Sequence, residues 1–155
     1  ARHRTALLND YFRIRKDAVS APPKGEIRVH LFPPGSNRSR LADFLGRLRM
    51  QGIEIERAES PFDLNGTTPW DPVVKPRSFP AGTWVVRTDQ PLGSLVRTLL
   101  RFDLRMTTEF LREERQSLEQ GKGTRMYEVG AWSLPLAADV DACASPDFRS
   151  PPVLC

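Results

Sequence analysis

EIRVHLFPPGSNRSRLADFLGRLRMQGIEIER, residues 26–57, changes its hydrophobic period twice. Ile27, Val29 and Leu31 alternate with Glu26, Arg28 and His30, the period of a strand with one apolar face. Pro33-Pro34-Gly35 stops that run. From Asn37 to Gln51 the period lengthens: Leu41, Phe44, Leu45 and Leu48 fall at i, i+3, i+4 and i+7, one stripe of a helix. Gly52 stands where a left-handed residue closes a helix. Ile53 and Ile55 then resume alternation. Strand, crossover helix and strand predict a βαβ unit with parallel strands. Nothing in the unit is placed like a nucleophile, a metal ligand or a phosphate cradle.

Further along, Thr83-Trp-Val-Val-Arg87 reads as a third strand, ended by Asp89-Gln-Pro91. Leu92, Leu95, Val96, Leu99 and Leu100 follow at helical spacing, behind a proline suited to a first helical turn. Repeated strand-to-helix passages predict the α/β class: a small three-layer sandwich around a mostly parallel sheet, flavodoxin-like in layout. Between these units, Glu56 to Ser78 reads mostly as connection, because Thr67-Thr-Pro-Trp-Asp-Pro72 cannot continue a central strand. Trp70, between two prolines, reads as a plug over a core edge or as an exposed contact for a partner, with the plug preferred. Thr107 to Gln120 predicts a charged helix with Phe110, Leu111 and Leu118 as its few apolar residues, its charges forming a solvated face. Met126 to Ala137 reads as a buried segment.

Before all of this, Thr5 to Ala18 predicts an amphipathic helix. Leu7, Tyr11, Ile14 and Ala18 make its stripe, widened by Leu8 and Phe12. The domain plan is therefore an N-terminal helix over 1–20, an α/β domain over 25–140 and a Pro-rich tail over 141–155.

The chain has 155 residues, 39% of them hydrophobic, enough for one real core. Its net charge is +4, and residues 1–17 hold five basic side chains against two acidic ones. Such a helix could meet nucleic acid or an acidic membrane surface. No helix-turn-helix spacing, zinc knuckle or aromatic-basic repeat accompanies the charge, which weighs against nucleic acid. No run of eighteen apolar residues predicts a membrane span. The two cysteines, Cys143 and Cys155, lie in the predicted tail and are candidates for a disulfide, which fits an oxidising compartment. Two unrelated thiols, or pairing of Cys155 with another chain, remain open.

A zinc hydrolase needs three protein ligands and an open position. The only histidines are His3 and His30, and neither has Glu three or four residues beyond it. His30 reads as a packed or hydrogen-bonded histidine opposite the Ile27/Val29/Leu31 face. Gly93-Ser94-Leu95 is not a nucleophile elbow, and Gly121-Lys-Gly-Thr lacks the earlier glycine and strand of a phosphate loop. The expectation is no catalytic, cofactor-binding or metal-ligating residue in this chain.

Three stretches carry a family likeness. Phe79-Pro-Ala-Gly-Thr-Trp-Val-Val-Arg-Thr-Asp-Gln-Pro91, Thr108-Glu-Phe-Leu-Arg-Glu-Glu-Arg115 and Met126-Tyr-Glu-Val-Gly-Ala-Trp-Ser-Leu-Pro-Leu-Ala137 occur in this order. They resemble the region after the catalytic domain in large bacterial zinc carboxypeptidase-like proteins, the carboxypeptidase A-type metallopeptidase family. Glu128 stands where those proteins usually have Asp, and Gly130 where they usually have Thr. The resemblance implies a C-terminal, non-catalytic accessory module, amidotransferase-like in fold and lacking the nucleophile. It also implies that zinc, held by a His-x-x-Glu pair and a later His, belongs to a parent peptidase domain preceding Ala1. Export to the periplasm or the outside is implied too.

Three functions follow for testing. The first is an accessory domain that packs on, or shapes access to, a peptidase domain of the same parent protein or a co-purifying chain, touching peptide substrate only indirectly. The second is a stand-alone binding or assembly module. The third is nucleic-acid binding through the basic first helix.

Overall fold

A computed structural model describes residues 3–20, 22–35, 37–102, 106–124, 133–147 and, as backbone, 153–154. The elements are α1 (Arg4–Ala18), β1 (Val29–Phe32), α2 (Arg38–Met50), β2 (Glu56–Ala58), β3 (Phe62–Thr68), β4 (Asp71–Phe79), β5 (Trp84–Arg87), α3 (Gly93–Leu99), α4 (Thr108–Glu119), α5 (Leu134–Ala137), β6 (Cys143–Ser145) and β7 (Val153–Leu154).

The local readings of residues 37–52 hold. Asn37 caps α2 by accepting a hydrogen bond from the Arg40 N–H, and Gly52 takes φ 84° just past the helix. Leu41, Phe44, Leu45 and Leu48 are all buried. β1 begins at Val29, three residues later than the alternation suggests, and ends at the two prolines.

The expected parallel sheet is not what forms. The seven strands lie in the order β4-β3-β6-β1-β5-β2-β7, and each neighbouring pair is antiparallel. β1 and β2 are both antiparallel to β5, so they do run in the same direction, as a crossover helix requires. However, β5 is inserted between them. The unit is a split βαβ, and β1-α2-β2-β5-α3-β6 follows the connectivity of the ferredoxin-like plan. Periodicity sees a strand, a helix and a strand, but it cannot see a strand thirty residues away filling the gap. The flavodoxin-like, three-layer expectation, and the amidotransferase-like fold implied by resemblance, are corrected by this topology.

Two stretches read as connection or tail are sheet. Phe62 to Phe79 is a hairpin, β3–β4, whose turn is Pro69-Trp70. Pro72 and Pro76 fit because β4 is an edge strand, with N–H positions free to be missing. Cys143–Ser145 forms β6 directly beside β1, with Leu31 opposite Cys143 and Val29 opposite Ser145.

The sheet is covered on both faces, so β1 is buried throughout. On one face α2 packs Leu41, Phe44, Leu45 and Leu48 against Phe32, Val86, Val96 and Leu100. On the other, Val29, Leu31, Val85 and Cys143 pack with Ala58, Phe79, Phe62 and Leu64. The β3–β4 hairpin supplies that second cover. It leaves β2 at one side, crosses beneath the sheet and pairs with β6 at the other through Thr67 and Ala144.

Candidate functional site

The motif that carries the family likeness is structural here. The buried Gln90 side chain donates from Nε2 to the Glu54 and Arg87 carbonyls, and its Oε1 accepts from the Glu54 N–H at 2.7 Å. It therefore does the work of a missing strand partner for residue 54. The Thr88 hydroxyl donates to the carbonyls of Ile27 and Arg28. Arg87 meets Asp89 through two hydrogen bonds, and this guanidinium holds the Asp89 carboxyl below its usual range. Val-Val-Arg-Thr-Asp-Gln thus latches β5 to β1 and to the chain entering β2. Met126 to Trp132 of the third similar stretch lie outside the described residues.

Among the proposed contact residues, Trp70 is 85% exposed at the hairpin turn, so it is not a plug. Cys143 is a buried free thiol facing Phe79 and Val85, and burial pushes its pKa up to about 11. It stays protonated and serves as packing. Its suggested disulfide partner, Cys155, lies outside the described residues. In α4, read as a solvated charged face, Glu114 is instead buried, and its Oε2 accepts a hydrogen bond from the Thr124 hydroxyl at 2.6 Å.

Two features stand out as able to bind something. The first is α1. It forms as expected, yet Ala18 is its only buried residue. Leu7, Leu8, Tyr11, Phe12 and Ile14 are between 56% and 69% exposed. The helix is held at its C-terminal end, where Arg15 donates to the Pro91 carbonyl and Gly93 lets the Ala18 carbonyl approach α3. Arg15 lies over the Tyr11 ring, 5.4 Å from its centre.

The second is a cavity of about 890 Å3 around His30. Register explains its place. Val86, His30, Ala144 and Thr67 sit opposite one another across four strands, so they share the face that carries the helices. α3 covers the Val86 end. Past it the row opens, roofed by Phe102, Arg97 and Arg101, with Pro69 and Pro72 of the hairpin on one rim and Glu26 and Ile27 on another. His30 packs edge-to-face on Phe102, with ring centres 5.7 Å apart. Burial pushes its pKa down to about 3, so the imidazole is neutral at neutral pH. Among the described residues its buried Nδ1 has no hydrogen-bond partner, a condition that costs about 1–3 kcal/mol. The sequence reading of His30 as a packed or hydrogen-bonded histidine opposite Val29 and Leu31 agrees with its packing on Phe102. A polar residue inside the otherwise apolar Val29-His-Leu-Phe32 was the available signal. Arg97 and Arg101, four apart in the chain, line the same cavity, and no local pattern links them to His30.

Among the described residues, no three His, Cys, Asp or Glu side chains gather to hold a metal ion. No described helix is long and apolar enough to cross a membrane. No family model, no curated protein and no solved structure matches the chain.

Proposed function

We propose that this chain is a non-catalytic docking module that packs on a second protein domain through α1. One observation carries the reading: a formed helix turns Leu7, Leu8, Tyr11, Phe12 and Ile14 to solvent, whereas α2 buries Leu41, Phe44, Leu45 and Leu48 on the sheet. Each such side chain gains roughly 1.5–3 kcal/mol on full burial, which the domain itself leaves unrealised. Aromatic and Arg side chains on one narrow face are also the composition of interface hot spots. Arg15 stacks within the stripe rather than at its border, and Arg13 is paired with Asp10, which favours a protein surface over an anionic lipid one.

The resemblance of the Phe79–Pro91 and Thr108–Arg115 stretches supplies the partner's chemistry: a zinc carboxypeptidase-like peptidase domain, in the same parent protein or a co-purifying chain. In this reading the zinc and the general base belong to that domain. This chain contributes surface, meets peptide substrate only indirectly, and is secreted or periplasmic with its parent.

A photo-crosslinking residue at Leu8 or Phe12 in the native source tests this. The expected product is one discrete adduct to a His-x-x-Glu-containing domain, lost in a Leu7→Asp/Tyr11→Asp variant of unchanged melting temperature. Adducts to lipid alone, or to a second copy of this chain, would overturn the reading.

A further inference from the structure

The cavity at His30 is independent of the docking face, and nothing in the docking role uses it. Its walls are mainly apolar: Phe102, Ile27, Pro69 and Pro72 offer flat faces, and His30 presents an aromatic edge. The cationic groups at its roof are unequal. Arg97 is tied to the Thr88 carbonyl at 3.2 Å and to the Ser94 hydroxyl at 3.4 Å. Arg101 is exposed and makes no hydrogen bond or ion pair with any described residue. Against these two guanidinium groups stands one carboxylate, Glu26, on the opposite rim. A volume of this size, apolar walls and a few convergent polar groups are the usual makings of a small-molecule site.

We propose that this cavity binds a small aromatic carboxylate. The ring of the ligand lies against Phe102 and the proline wall, its carboxylate meets Arg101 with Arg97 behind, and its inner edge packs towards the His30 ring at the floor of the cavity. A neutral histidine suits the last contact, since an imidazolium would have to be buried with its charge. Arg97 is a positioning group as much as a contact, because its hydrogen bond to the Thr88 carbonyl ties α3 to the end of β5 beside the site. Arg101, free to swing, is the residue that selects an anion. No bond is made or broken; the site is for binding only.

The test titrates the full chain with indole-3-acetate, following His30 ring resonances by NMR and heat by calorimetry. Indole-3-ethanol, which keeps the ring and N–H but lacks the carboxylate, is the control. Saturable one-to-one binding of indole-3-acetate is expected, with a shift of the His30 ring nitrogens. Affinity should fall by about tenfold for indole-3-ethanol, and similarly for Arg101→Gln, the loss of one charge-assisted contact. Arg101 is exposed, so its replacement leaves the fold intact, and an unchanged melting temperature checks this. Absence of saturable binding at millimolar probe, equal binding of the two probes, or indifference to Arg101→Gln would each overturn the proposal.

Discussion

α1 and α2 carry nearly the same pattern and meet opposite ends. In α2, Leu41, Phe44, Leu45 and Leu48 lie on the sheet, and Leu48 is 1% exposed. In α1, Leu7, Tyr11 and Ile14 lie in water. The difference does not come from the helices themselves. α2 is bounded by strands on both sides, so the chain returns it to the sheet face. Among the described residues α1 meets the domain at its C-terminal end, through Arg15 and Ala18, and its other turns lie clear of the sheet. An apolar stripe states that a helix has something to cover; the connections on either side decide whether the same domain supplies it.

Substitutions can break or sharpen this contrast. Leu48→Ala should lose the largest amount, about 2–5 kcal/mol by chemical denaturation, because it empties a site on the sheet that neighbours fill only partly. A loss below about 1 kcal/mol would show that α2 is as loosely seated as α1.

Gly93→Ala tests the one place where α1 is fastened. A β-carbon there would meet the Thr88 carbonyl oxygen, and the Ala18 carbonyl oxygen would lie 2.8 Å away. Both are backbone, so neither can swing aside. A loss of about 1–3 kcal/mol is expected, together with faster amide exchange at the C-terminal end of α1. Unchanged exchange there would mean that the Ala18 contact does not hold the helix.

The third prediction concerns the buried His30 beneath the uncovered end of the sheet. Its folded pKa is about 3, below the ordinary 6.5 of an unfolded chain. Between these values the unfolded chain binds a proton that the folded chain refuses. The stability at issue is therefore fully present above about pH 6.5 and drains as pH falls, by up to about 1.4 kcal/mol per unit. His30→Phe keeps the ring packing and removes the titration. The stability gap between wild type and variant should change with that slope between pH 6 and pH 4, measured by urea denaturation; a gap independent of pH would show that His30 accepts its proton when folded.

The smallest effect is expected from Leu7→Ala, within about 0.5 kcal/mol for the chain alone, since the side chain has no packing to lose. The same substitution should weaken the adduct that defines the docking role. A large stability loss from Leu7→Ala would instead mean that α1 is covered by its own domain.

Much of the local structure was legible beforehand, for reasons that are local. The N-cap at Asn37, the left-handed Gly52, the α2 stripe and the Trp84-Val-Val-Arg87 strand depend on residues within a few positions of one another. The hairpin at Phe62–Phe79 was hidden because Pro72 and Pro76 of β4 argue against a strand in general, and only an edge position excuses them. β6 was hidden because three residues are too few to show a period. The candidate cavity was half legible. His30 interrupts an apolar strand, but Arg97, Arg101 and Phe102 join it only through the packing of α3 and the register of β1 with β6.

What the sequence by itself determined, then, is part of the inventory: that α1 to α4 are helices and β1, β2 and β5 strands, which way β1 and β2 run, and that α1 has an apolar side. Side-chain periodicity and backbone capping act over one or two turns, and they are complete without the rest of the chain. The tertiary structure alone decided that β5 lies between β1 and β2, that the hairpin crosses beneath to β6, and that α1 stays uncovered. Strand pairing joins residues far apart in the chain, and its hydrogen bonds are made by backbone groups common to every residue. No side-chain pattern near Val29 could therefore name Val85 to Arg87 as its neighbours.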